Sequence, residues 1–416
     1  TGVTSITSVS VSHGNEKLQN YFSYANTTGK GIIDKNRLSK HNITFRETSV
    51  IFNNRLKLDG NVNLMRQVSK NKPTVGGFYM NPLVGLYRFP RGEDLSYYRD
   101  NFEVYDESRN LNIQNWHTAY EDFEQNPYWI TNRIQTKEVR MHAIVSLSAN
   151  LQVNDWLTVQ ARCIDDKVRQ KFYASTAPAL AGTNGRYLEM DYQDLQFYGD
   201  LMLMMKKKWG DFSVNGAFGG SITDKTTNST RYDSKTASLY YANVFTLANI
   251  IMNGSAALDQ KIDSHRQLQS LFATAQVGYK ESAYIDLTAR NDWSSTLSHT
   301  KHEGRGYFYP SVGTSLILSR LLTLPEWVSY AKVRAAYSMV GNDIPLYITN
   351  PVAHVLAGGG IQASDAASFG VFGATGRNGN SLVLACTLTL PIIRHILRIS
   401  FSNCQQKMAT SMPIVT

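Results

Sequence analysis

Apolar and polar residues alternate with a period of two along most of the first 340 residues of the chain. In residues 139–153 every odd-numbered residue is apolar, and every even-numbered residue except Ile144 is polar. Such alternation predicts a β-strand with one apolar face. We predict roughly twelve such strands on this criterion. The clear segments are 55–67, 139–153, 156–163, 196–205, 212–222, 270–279, 284–292 and 331–339, and the weaker ones are 5–12, 19–26, 41–51 and 307–316.

The connections between these segments alternate between short and long. Short turns fall at residues 14–15, 53–54, 154–155, 209–211 and 280–282, and long links at 28–40, 69–137, 166–192, 223–266 and 294–306. An all-β, antiparallel transmembrane β-barrel of the outer membrane has this layout, with its polar face towards the lumen and its apolar face towards lipid. A soluble sandwich or propeller would show the same alternation, but with shorter strands and no asymmetry between the two sets of turns.

The amino-acid composition excludes further classes of protein. No run of about 20 uncharged apolar residues is present, which excludes a helical membrane protein. Three cysteines far apart match no metal-binding or disulfide spacing, so neither a metal nor a cofactor is predicted. The net charge is +9, but the basic residues are interspersed except at Lys206, Lys207 and Lys208. Beside Trp209 this run fits a membrane interface better than nucleic acid, so no nucleic-acid partner is predicted.

Several stretches resemble the SusC/RagA family of TonB-dependent outer-membrane transporters. They include LTARNDWSSTL at residues 287–297, YFYPSVGTSLIL at 307–318 and SYAKVRAAYSMVGND at 329–343. Further similarity lies in VSVSHGNEKLQNYFSY at 9–24, NPYWITN at 126–132 and DWLTVQAR at 155–162. The order and spacing of these stretches also match, so the resemblance covers about residues 1–350.

The resemblance implies a barrel of about 22 strands in the complete protein, of which this chain would supply a part. It also implies active uptake of an oligosaccharide or peptide across the outer membrane of a Gram-negative, Bacteroidetes-like cell. The implied partners are a SusD-like lipoprotein lid, outer-membrane lipid, and a TonB complex acting through a plug. No segment of this chain resembles the plug.

The chain after residue 350 departs from the family pattern. Residues 366–416 contain no Asp, Glu, Trp or Tyr, whereas the preceding part is rich in all of these except Trp. We therefore divide the chain into a partial TonB-dependent-receptor-like barrel at 1–350 and a divergent tail at 351–416. A frameshift would produce such a tail, and a divergent native sequence is the alternative.

Candidate ligand-binding residues lie in two places. The link 69–137 is too long for a simple connection and combines aromatic residues with carboxylates, which suits sugar rings and their hydroxyls. Packing of the link onto its own barrel or onto a lid protein is the alternative. Arg290 and Asp292 share the predicted lumen face at a strand end, where an ion pair or an architectural role is expected. The candidates are Trp116, Tyr120, Asn126, Tyr128, Trp129, Arg290, Asp292 and Trp293.

No catalytic constellation accompanies these residues, so an enzyme is not predicted. The adjacent carboxylates Asp165 and Asp166 are expected to lie in a loop and to point apart, and His299 and His302 have no third metal ligand nearby. Alternatives to the transporter are a passive porin-like barrel, a surface glycan-binding or adhesion module, a soluble carbohydrate-binding domain, and a fragment that has no function by itself.

Overall fold

The computed structural model describes most of the chain up to residue 349 and short parts of the rest. The described residues are 1–72, 81–118, 124–178, 184–235, 239–251, 258–298, 300, 304, 306–325, 328–341, 343–349, 353–355, 361–363, 379–389, 391–392 and 395–396. For residues 258–260, and for every segment from 353 onwards, only the backbone is described.

The structure is built almost entirely from β-strands. In chain order the strands are β1 (Val3–Gly14), β2 (Leu18–Lys30), β3 (Arg37–Ile51), β4 (Leu56–Lys70), β5 (Glu103–Asp106), β6 (Leu111–Gln114), β7 (Ile134–Gln152), β8 (Leu157–Thr176), β9 (Arg186–Trp209), β10 (Phe212–Asp233), β11 (Leu258–Tyr279), β12 (Ala283–Ser294), β13 (Tyr307–Ile317), β14 (Tyr330–Val340), β15 (Ala353–Val355), β16 (Ile361–Ala363), β17 (Gly379–Thr389), β18 (Pro391–Ile392) and β19 (His395–Ile396). The helices are α1 (Pro82–Arg88), α2 (Leu95–Asp100), α3 (Pro127–Arg133) and α4 (Leu318–Leu321), with 3-10 turns at Leu247–Asn249 and Ser295–Leu297. No helix among the described residues is long and apolar enough to cross a membrane.

Thirteen strands form one antiparallel sheet in the order β1-β2-β3-β4-β7-β8-β9-β10-β11-β12-β13-β14-β17. Twelve of them lie before residue 341, which confirms the predicted all-β fold and its strand number. The strands of this sheet follow one another in chain order. The small hairpins β5–β6 and β15–β16 are not part of the sheet and lie in the connections between β4 and β7 and between β14 and β17. The result is an up-and-down meander, the topology from which outer-membrane barrels are made.

One face of the sheet is apolar and exposed. In β7, Leu147 is 56% exposed and Met141 is 51% exposed, while His142, Ile144 and Ser146 on the other face are half-buried. The same asymmetry recurs in β9, where Leu201 is 56% exposed. A soluble protein would bury such a face against a second layer, but among the described residues no element packs across it.

The turns match the predicted short set. β1–β2, β3–β4, β7–β8, β9–β10 and β11–β12 are joined by tight connections at the predicted positions. In the three-residue connection between β11 and β12, Lys280 and Glu281 both adopt positive φ, at 49° and 52°, as the central residues of a type I′ turn do. Three long links are shorter than predicted, however: β2 and β3 leave only residues 31–36, β8 and β9 leave 177–185, and β10 and β11 leave 234–257.

The predicted boundaries were wrong in these three links because the strands continue beyond the apolar band. Residues 223–233 are mostly polar on both faces, so the period-two signal ends at Ile222 although pairing with β9 and β11 continues to Asp233. The long link 295–306 lies within one residue of the predicted bounds, and the long link 71–133 begins two residues after and ends four residues before them.

The tail contributes one strand to the sheet. Backbone pairing places β17 beside β14, from Tyr330 opposite Thr389 to Val340 opposite Gly379. The rest of residues 351–416 is mostly outside the described residues. The division of the chain at residue 351 therefore stays a prediction.

Candidate functional site

The link between β4 and β7 folds into a small unit at the long-loop end of the sheet. Each of the three helices among its described residues begins with a side-chain cap: Asn81, Asp94 and Asn126 accept hydrogen bonds from the backbone N–H groups of Leu83, Ser96 and Tyr128. Pro82 and Pro127 occupy the first turns of α1 and α3, where a missing N–H costs nothing. The caps and prolines explain locally why this long link is ordered into helices.

Asn126 connects the parts of this unit. Its side chain is fully buried, and its Nδ2 atom donates to the carbonyl oxygens of Tyr98, at 2.9 Å, and Asn115, at 2.8 Å. Its backbone N–H donates to Gln114 Oε1 at 3.1 Å. All of these contacts are internal, so Asn126 holds α2, β6 and α3 together in this structure.

The predicted aromatic candidates of this unit divide into buried and partly exposed residues. Trp129 is 1% exposed and packs against Ala177 and Phe102. Trp116 is 3% exposed, and its ring lies 5.1 Å from those of Phe89 and Tyr98. Both tryptophans therefore pack the unit internally. Tyr128 is half-buried, and Tyr120 lies outside the described residues.

Most carboxylates of the unit also have internal partners. Arg133 pairs with Glu103 at 2.5 Å, and Arg88 pairs with the buried Glu124. Tyr98 donates to Glu93 Oε2 at 2.6 Å; this bond to the carboxylate, with burial, raises the pKa of Tyr98 to about 12. These acids shape the unit and offer few free acceptors to a sugar.

Exposed tyrosines provide the aromatic surface that the buried tryptophans do not. Tyr87 is 83% exposed, and Tyr97 and Tyr105 are each 55% exposed. In the link between β10 and β11, Tyr240 and Tyr241 are 56% and 72% exposed. The Asn184 side chain joins the two regions, because it accepts from Arg109 and donates to the Leu239 carbonyl. The amino-acid composition of these links did not indicate which of their aromatic side chains are buried and which are exposed.

Arg290 and Asp292 form the predicted ion pair at the end of β12. Arg290 Nε donates to Asp292 Oδ1 at 2.7 Å, and its Nη2 donates to Ser270 Oγ at 2.9 Å. The guanidinium lies 5.8 Å from the centre of the Phe272 ring, and Tyr309 donates to the second Asp292 oxygen. These groups make one polar network across β11, β12 and β13. Trp293, the eighth candidate, lies on the opposite face and is 37% exposed.

The sequence patterns did not single out Asp343, which follows β14. Its carboxylate accepts from Ser294 Oγ at 2.9 Å, from the Ile344 N–H at 2.8 Å, and also from Thr296 and Arg266. Burial raises the pKa of this carboxyl, but the hydrogen bonds from Thr296, Ser294 and Ile344 and the charge of Arg266 outweigh it, so the pKa is lowered. Its side-chain partners Thr296, Ser294 and Arg266 are 47 to 77 residues away in sequence, so no local spacing could reveal them.

Replacing Asp343 by asparagine is expected to destabilise the protein by about 1–2 kcal/mol at pH 7, because Arg266 loses its charged partner. A lowered folded-state pKa stabilises the protein above the unfolded pKa, near 3.8, and this contribution is lost as pH falls through the folded value. The difference between the two proteins should therefore shrink below about pH 4. Urea unfolding of both proteins between pH 3 and 7 measures it; a constant difference would contradict this role.

The described residues contain no cluster of three or more His, Cys, Asp or Glu side chains that could hold a metal ion. His299 and His302 lie outside them. The loop placement of Asp165 and Asp166 was wrong, because both lie within β8. Asp165 pairs with Lys167 at 2.7 Å, and Asp166 pairs with His142 at 2.7 Å on the opposite face, so these adjacent acids do point apart.

No family model matches the chain, and no characterised protein matches it by sequence. Solved structures do match its fold. The chain is similar to the RagAB peptide transporter, with a TM-score of 0.66 and 17% identity over 93% of this chain and 42% of that one. The RagAB peptide importer in its open-open state gives a TM-score of 0.68 and 16% identity over the same shares.

A further match is the ferripyoverdine receptor of the outer membrane of Pseudomonas aeruginosa, with a TM-score of 0.53 and 11% identity over 83% of this chain and 42% of that one. At these identities the matches show the fold. The chain has the antiparallel strand arrangement of a transmembrane β-barrel and spans less than half the length of these structures.

Proposed function

We propose that this chain forms part of the wall of an outer-membrane transporter for nutrient uptake, of the TonB-dependent SusC/RagA type. The observation that carries the proposal is the thirteen-stranded meander with one exposed apolar face, in the arrangement found in RagAB. Such a face is stable against lipid and unstable against water. The sequence stretches at residues 287–297 and 329–343 support the same family.

We further propose a peptide as the transported substrate. Two of the similar structures are of a peptide transporter or importer. In addition, several exposed tyrosines lie in the links at the long-loop end of the sheet. Tyrosine faces and hydroxyls suit peptide side chains and carbonyls. An oligosaccharide remains the alternative, because the same rings stack on sugars. Of the predicted contacts, Tyr128, Arg290 and Asp292 are part of this proposal, as is Tyr120, which lies outside the described residues. Trp116, Asn126 and Trp129 are buried inside the unit and Trp293 lies on the opposite face from Arg290, so these four are not proposed as contacts.

The proposed partners follow from the family resemblance. A SusD-like lipoprotein would cover the long-loop end, where the unit at residues 81–133 and the link at 239–251 present tyrosines. An inner-membrane TonB complex would supply energy through a plug outside this chain. Transport requires no covalent chemistry, and the polar networks around Asp292 and Asp343 fit a rigid wall better than a reaction centre.

Uptake by whole cells tests this function. We expect deletion of the gene to abolish accumulation of a fluorescent peptide, and a protonophore to do the same in the parent strain. An oligosaccharide of similar mass should enter both strains equally. Uptake that persists with the protonophore would assign a passive barrel, and surface binding without internalisation would assign an adhesion module; either result overturns the proposal.

A further inference from the structure

Aromatic side chains form a row at the short-turn end of the apolar face. Trp156 precedes β8, Trp209 ends β9, Phe212 begins β10 and Tyr279 ends β11, and they are 40%, 52%, 51% and 39% exposed. The Phe212 and Tyr279 rings are 4.9 Å apart. Amphipathic rings at this position of a barrel mark the level of the lipid headgroups.

Lys207 lies on the apolar side of the sheet, next to this row of aromatic side chains. Leu203, Met205, Lys207 and Trp209 alternate along β9 and therefore share one face, and the first two are 38% and 42% exposed. The Lys207 ammonium lies 5.6 Å from the centre of the Trp156 ring and 5.2 Å from that of Trp209. The two indole rings thus hold the Lys207 ammonium at the level of the lipid headgroups, on the side of the sheet that otherwise contacts hydrocarbon.

The charge of Lys207 is not neutralised within the described part of the chain. Its neighbour Lys208 pairs with Glu281 at 3.2 Å, on the other face. Towards the opposite end of the apolar face, Lys167 pairs with Asp165 at 2.7 Å and Arg169 pairs with Asp191 at 2.8 Å. Among the residues that the structure describes, no carboxylate lies within ion-pair distance of Lys207. The ammonium of Lys207 is therefore open to an anion from outside these residues.

A groove on the same face lies deeper along the same strands. Small residues at Ala149, Ala161, Cys163 and Gly199 on β7, β8 and β9 leave a largely apolar cavity of about 930 Å³ beside Phe197. Ala161 pairs with Leu201, six residues from Lys207 along β9. Six residues span about 20 Å of strand, or about 14 Å of depth at a tilt of 45°, which is near the middle of the hydrocarbon core.

We propose that Lys207, Trp156 and Trp209 bind the phosphate of an anionic phospholipid in the leaflet at the short-turn end. Its glycerol region would lie against the indole rings, and an acyl chain would enter the groove at Ala161 and Gly199. This site is independent of the transported substrate, because it lies on the lipid face. It would exist equally in a passive barrel.

Native mass spectrometry of the complete protein in detergent tests the site with phosphatidylglycerol and phosphatidylcholine of matched acyl chains. We expect the wild-type protein to retain phosphatidylglycerol preferentially. Lys207→Gln should weaken this retention about fivefold, and Lys207→Arg should restore it. The matched control is Lys206→Gln, which removes the same charge from the opposite face of β9 and should leave retention unchanged.

Three results would overturn the proposal. Equal losses in Lys206→Gln and Lys207→Gln would show that net charge alone attracts the lipid. Displacement of phosphatidylglycerol by millimolar inorganic phosphate would assign a free-phosphate site instead, whereas no displacement supports a lipid site. Folding of each variant is checked by the heat-dependent shift of the barrel on a denaturing gel. If the glutamine variant fails to fold, the preference of the wild-type protein for phosphatidylglycerol over phosphatidylcholine still tests the proposal, and equal retention of the two lipids would overturn it.

Discussion

Replacing Leu147 by arginine is expected to destabilise the protein in a bilayer by about 2–4 kcal/mol. Leu147 is 56% exposed and lies near the centre of the apolar run of β7, where a charge would face the middle of the hydrocarbon core. Reversible urea unfolding in liposomes measures the change in free energy.

Ser146→Arg is the matched control for this variant. Ser146 is the preceding residue of the same strand, lies on the polar face, and stands opposite Asn61 and Ile164. An arginine there would meet the aqueous lumen and should cost less than about 1 kcal/mol. Equal destabilisation by the two substitutions would contradict the assignment of the apolar face to lipid.

Replacing Trp129 by alanine is expected to lower the local stability of the unit at residues 81–133 by about 3–5 kcal/mol. The ring is 1% exposed, packs on Phe102 and Ala177, and lies 6.0 Å from the Arg133 guanidinium. Its removal leaves a cavity between α3, Phe102 and Ala177. Hydrogen exchange of the amides in this unit measures the effect.

Tyr97→Ala provides the comparison within the same unit. Tyr97 is 55% exposed and should change the local stability by at most about 0.5 kcal/mol. If this tyrosine contacts the transported ligand, as the proposed function implies, the variant should reduce uptake while the unit stays folded. Equal protection from exchange in wild type and Trp129→Ala would contradict the packing role of Trp129.

The strands could be predicted from the sequence wherever one face meets hydrocarbon. Between Val139 and Val153 the alternation fixes both the strand and the side that each residue faces. Beyond the apolar band the pattern disappears, because both faces meet water, while the backbone ladder needs no apolar residues to continue. Lys225 therefore pairs with Gln196 and Arg266 in a region that the pattern assigned to a loop.

The candidate site could be predicted only in part. Arg290 and Asp292 are two residues apart on one strand, so their pairing follows from strand geometry. Asp343 depends on residues brought together by the register of β11, β12 and β14, which no spacing encodes. The many aromatic residues pointed to the unit at 81–133 as a candidate site. They did not show that Trp129 is buried and Tyr97 exposed, because composition gives no information on which side chain faces the interior.

The most direct test of the central claim is the accessibility of spin labels placed singly at residues 141–151 of β7 in lipid bilayers. A barrel wall predicts that labels at 145, 147 and 149 collide with dissolved oxygen and avoid a water-soluble nickel complex, and that labels at 146, 148 and 150 do the reverse. If labels at 145, 147 and 149 are shielded from both reagents, this face is packed against protein, and the account of a membrane-spanning wall is wrong.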